Sequence, residues 1–91
     1  MKIDAVKNIL ENFESSVKLC TEPCSPEIYQ VRAEAMIVSE RAAMDALASV
    51  EPENDEEREE LEALEWHFSY IESTYDRVIR QAREETGNED W

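Results

Sequence analysis

The chain has 91 residues, 23 of them acidic and nine of them Lys or Arg, for a formal net charge of −14. That charge repels nucleic acid and anionic membrane, attracts basic surfaces and metal cations, and opposes compaction by self-repulsion. One glycine and three prolines argue against a loop-rich fold, and no run approaches the roughly 18 apolar residues of a membrane span.

The length suits a single domain, residues 1–91, with a thin core that dimerisation would help. Ala, Glu, Leu and Arg are abundant and favour helix. The opening residues hold no basic leader ahead of a long apolar run, so the expected location is the cytoplasm.

The first predicted helix covers residues 3–20. Ile3, Val6, Leu10, Phe13, Val17 and Cys20 recur at heptad-like spacing, and Ile9 widens the stripe. Pro23 disfavours helix through the next few residues. Cys20 and Cys24 flank this turn. Their C-x-x-x-C spacing is neither the redox nor the zinc pattern, and two cysteines are too few to staple a small secreted domain, so reduced thiols are expected.

The second helix is predicted over residues 26–49. Ser25 suits the N-cap, Pro26 the first helical position and Glu27 the positive first turn. Its apolar series is Ile28, Val31, Ala35, Val38, Ala42, Ala46 and Val50, broadened by Met36, Ile37, Ala43, Met44 and Leu47. Frequent alanines allow neighbours to approach closely, which makes this the expected central helix.

The third helix is predicted over residues 55–86, capped by Asn54 or Asp55 and stopped at Gly87. Leu61, Leu64, Phe68, Ile71, Tyr75, Val78 and Ala82 form its seam. Such a helix would be about 48 Å long. A compact bundle cannot cover all of it, so it must bend or project. The fold expected is all-α: a three-helix antiparallel bundle with a long third helix, whose seam could also join two copies as a homodimer.

Between Glu51 and Glu65 nine acidic residues accompany one basic residue, Arg58, so this segment holds −8 of the −14. Glu53 precedes the cap, and Asp55, Glu56, Glu57, Glu59, Glu60 and Glu62 surround most of the helix start. Carboxylates one turn apart repeat at about 5.4 Å. A rod of this kind can occupy a groove built for a nucleic-acid backbone, with counterion release driving a salt-sensitive association. The bland alternative is a solvated face that aids solubility. Trp66 and Tyr70, four residues apart, lie off the seam. They either cover the bundle edge or form an aromatic anchor beside the acids.

Glu56-Glu57-Arg58-Glu59-Glu60 resembles the E-E-x-x-E run of helical magnesium-dependent nucleotide pyrophosphatases. The resemblance implies a later E-x-x-D, but Glu72 and Asp76 are four apart, and a straight helix holds Glu60 about 18 Å from Glu72. The E-x-x-H of di-iron bundles is absent, since Leu64 stands three before His67, the one histidine. His67 reads as a boundary residue without an acid on its own helical row. With one glycine there is no phosphate-binding loop, and Ser69 and Ser73 have no strained elbow around them.

No catalytic, metal or cofactor residues are therefore expected. The preferred reading is a protein-interaction module that is not an enzyme. Glu53, Asp55, Glu56, Glu57, Glu59, Glu60, Glu62, Trp66 and Tyr70 would bind a basic protein surface, such as the nucleic-acid site of a partner, as an inhibitor or decoy. In size and charge, though not through any motif, the chain resembles small acidic helical inhibitors of phage and mobile elements, the anti-restriction and anti-CRISPR proteins. A structural homo-oligomeric module and the pyrophosphatase-like enzyme are the alternatives.

Overall fold

The computed structural model describes residues 2–87 as an all-α structure. Among the described residues there are four helices: α1 (Ile3–Leu19), α2 (Pro26–Ser49), α3 (Asp55–Thr74) and α4 (Asp76–Thr86). None is long and apolar enough to cross a membrane. The molecule measures 46 × 22 × 19 Å.

Local chemistry sets the helix ends. The Ile28 N–H donates to Ser25 Oγ (3.3 Å) behind Pro26. The Glu57 N–H donates to Asn54 Oδ1 (2.8 Å), and Glu57 Oε1 in return accepts from the Glu53 N–H (3.0 Å), a reciprocal cap that satisfies two orphan donors. Gly87 closes α4 with φ +76°, a left-handed conformation that favours glycine.

The expected single third helix is two helices. Tyr75, at φ −108° and ψ 25°, separates α3 from α4. Hydrogen bonds still run through the junction, from the Tyr75 N–H to the Ile71 carbonyl and from the Ile79 N–H to the Tyr75 carbonyl (both 2.9 Å), so the chain kinks without unwinding. The kink contains neither Pro nor Gly. It accompanies the burial of Ile79 and Ala82 and the pairing of Arg83 with Glu40 on α2.

Contacts between residues 6 and 46, 16 and 39, and 19 and 32 show that α2 runs antiparallel to α1. The main core holds Leu10, Phe13, Val17, Met36, Ile37, Ile71, Ile79 and small alanines, with Phe13 and Phe68 stacked at a tilt 5.3 Å apart. A second cluster, Val6, Ala46 and Val50, is covered by Leu61 and Leu64. The third-helix seam is thus filled from within the chain. The acidic start of α3, expected to project, is anchored one residue past Glu60 by Leu61.

For α2 the predicted phase is corrected. Its inward face carries Ala33, Met36, Ile37, Glu40, Ala43, Ala46 and Val50, whereas Ile28, Val31, Ala35, Val38 and Ala42 face water. The helix is apolar on both sides, and the true core stripe has a glutamate in its middle. That glutamate disguises it.

Candidate functional site

The residues singled out from the sequence divide into two sets on α3. Glu57 and Glu60 are half-buried and occupied: Glu57 completes the helix cap, and Glu60 Oε2 lies 3.5 Å from Lys7 Nζ on α1. Glu53, Asp55, Glu56, Glu59 and Glu62 are exposed. Among the described residues, Asp55 has only a long contact, 3.9 Å, with Arg58.

Asp55, Glu59, Glu62, Trp66 and Tyr70 follow one another at steps of three or four, which places them along one row about 22 Å long. Their row lies opposite Leu64 and Ile71, the residues that fix the core face. Trp66 is 79% exposed and Tyr70 60% exposed. Neither covers a bundle edge. With Glu62, Glu65 and Ser69, Trp66 lines a shallow open dish at the middle of the row. The row therefore offers carboxylates at one end and uncovered aromatic surface at the other.

His67 has the acidic neighbour that its own helix does not supply. Its Nε2 lies 3.4 Å from Glu14 Oε1 on α1, and its ring stacks on Tyr70 at 6.4 Å. This contact between helices leaves no mark in the spacing of either one.

Scans against protein-family models, curated proteins and solved structures find no match. The site must be judged on its own geometry.

A second polar cluster was missed from the sequence. Glu40, in the core stripe of α2, is fully buried. Arg83 on α4 reaches it with two hydrogen bonds, Nη2–H to Oε2 at 2.6 Å and Nε–H to Oε1 at 3.3 Å. Glu72, at the end of α3, lies 3.9 Å from the same guanidinium. Burial pushes the Glu72 carboxyl up to about 8. A hydrogen bond to Glu40 and the Glu40 charge add to the effect, Arg83 opposes it, and Asp76 reinforces it. One guanidinium thus faces two carboxyls, and the second keeps its proton.

Only the position of Glu40 could have signalled this cluster. A lone acid flanked by Met36, Ile37, Ala43 and Met44 needs a buried cation, and Arg83 stands one residue beyond the seam position Ala82.

The acids of the pyrophosphatase-like pattern are not brought together. Glu57 and Glu60 are engaged near the start of α3, while Glu72 faces Glu40 and Arg83 near its end. Among the described residues no three His, Cys, Asp or Glu side chains gather in a geometry that could hold a metal ion. Cys20 is buried and Cys24 exposed, both as free thiols. Burial, above all, raises the pKa of Cys20.

Proposed function

We propose that this chain is a non-catalytic interaction protein of the cytoplasm that docks on a basic surface of a partner protein, occupying a site that would otherwise hold a nucleic-acid backbone. The observation that carries this reading is the shared solvent face of α3. Exposed Asp55, Glu59 and Glu62 lead directly into exposed Trp66 and Tyr70, with Glu56 beside them.

The two halves of the row do different work. The carboxylates steer a basic partner at long range and displace its counterions, so they govern the association rate and its salt dependence. The aromatic pair buries apolar area once contact is made and governs how long the complex lasts. Nucleic acid itself and anionic membrane are repelled by the same field.

Glu57 and Glu60 are already engaged within the chain, by the helix cap and by Lys7. The test should therefore spare them. In capture from the native host followed by titration of the identified partner, the combined substitution Asp55→Asn, Glu56→Gln, Glu59→Gln and Glu62→Gln lowers affinity and flattens its salt dependence. Trp66→Ala with Tyr70→Ala speeds dissociation instead. A partner whose affinity is indifferent both to salt and to the four neutralisations rules out the charge-mimic reading.

A further inference from the structure

The buried Glu40–Arg83–Glu72 cluster lies beneath the most weakly anchored helix of the bundle. α4 has 11 residues, too few for a stable helix on its own in water. Its N-cap, Tyr75, gives the first turn no side-chain hydrogen bond, and the backbone breaks there at φ −108° and ψ 25°. α4 packs chiefly on α2. Ile79 and Ala82 are its buried residues, with Val78 half-buried against the same core. It takes no part in the second core cluster, where Val6, Ala46 and Val50 meet Leu61 and Leu64, nor in the stack of Phe13 on Phe68. The other three helices therefore keep apolar contacts among themselves when α4 is away.

The polar part of the α2–α4 seam makes its closure conditional. Glu40 is fully buried, and its two oxygens accept from Arg83, Nη2–H at 2.6 Å and Nε–H at 3.3 Å. Glu72, on the last turn of α3, lies 3.9 Å from the same guanidinium. The charged groups that face Glu72 are Glu40 from α2 and Arg83 and Asp76 from α4. Asp76 is paired with Arg80 at 2.8 Å. Arg83 is already engaged by both oxygens of Glu40. A second carboxylate beside it would be a half-buried charge without a cation of its own, so closure favours a protonated Glu72 hydrogen-bonded to Glu40. We infer that α4 is a latch, hinged at Tyr75, that closes on α2 with a proton on Glu72 and opens as the pH rises.

The direction follows from proton linkage. With α4 open, Glu72 meets water and loses its proton near the usual 4.5; closed, it keeps the proton until about 8, burial being the largest cause. Between those values the closed form holds one proton more. The open-to-closed ratio therefore climbs about tenfold per pH unit across that window and is level on either side of it. Opening uncovers Ile79 and Ala82 and the core they close against. It also frees the buried Tyr29 hydroxyl, which feels the Glu85 charge of α4 and has no hydrogen-bond partner among the described residues while the latch is shut.

Amide hydrogen exchange of the full chain, resolved by residue and divided by the intrinsic rate at each pH, tests the latch. The Ile79 and Ala82 amides are less protected than those of Leu10 and Phe13 at every pH. Their protection falls about tenfold per unit between about pH 5 and about pH 8. In Glu72→Gln, which has no proton to lose, it stays level over the same range. The wild-type comparison needs no variant and stands by itself. Equal protection of α4 and α1 amides at each pH would mean that α4 leaves only when the whole fold does. Wild-type protection that ignores pH, or the same slope in wild type and Glu72→Gln, would take the proton out of the latch. Any one of these results overturns the proposal.

Discussion

Replacing Glu72 by Gln should stabilise the protein at pH 8 and leave it nearly unchanged at pH 4. Glu72 sits where α2, α3 and α4 meet, and its surroundings raise the carboxyl from the usual 4.5 to about 8, burial contributing most. In the unfolded chain the proton leaves near 4.5; in the folded chain it stays until about 8. Between those values folding takes up a proton, so stability falls as pH rises, by about 1.4 kcal/mol per unit. Over the roughly 3.5 units between those values the loss is on the order of 5 kcal/mol. Glutamine has the shape of the protonated acid, can donate an amide N–H to Glu40, and has no proton to lose. The gap between variant and wild type should open from near zero at pH 4 to its full size above pH 8. Urea unfolding of both proteins across that range, followed by circular dichroism, measures it. Subtracting the two curves removes the general self-repulsion of the acidic chain, which both share. A gap that does not change with pH, or a variant less stable than wild type at pH 8, refutes the placing of the proton on Glu72.

The same cluster predicts that Arg83→Met destabilises by about 3 kcal/mol, because it leaves Glu40 buried without its cation; Glu40→Met combined with Arg83→Met should recover much of that loss, and equal destabilisation in single and double variants would contradict the pairing. Tyr29 has a buried hydroxyl with no hydrogen-bond partner among the described residues, so Tyr29→Phe should stabilise by about 1 kcal/mol in denaturant unfolding; a loss of similar size would reveal a partner for it. Thiol labelling of the native chain should modify Cys24 quickly and Cys20 only as the structure opens, since Cys20 is buried and Cys24 exposed; equal rates would place Cys20 at the surface.

What could be read from the sequence follows from how local the physics is. Helical content, the caps at Ser25 and Asn54 and the stop at Gly87 depend on residues a few positions apart, and spacing reveals them. The outward face of α3 was within reach for the same reason: Leu61, Leu64 and Ile71 fix the core side, and Trp66 must then point away from it. Pairings between helices leave no such mark. Glu60 and Glu59 look alike until Lys7 of α1 is placed beside one of them. The break at Tyr75 has no Pro or Gly to mark it, and the Arg83–Glu40 pair beyond it joins residues 43 positions apart. In α2 the alanines flatten the contrast between faces, and Glu40 interrupts the stripe that enters the core, so the uninterrupted outer stripe reads as the buried one.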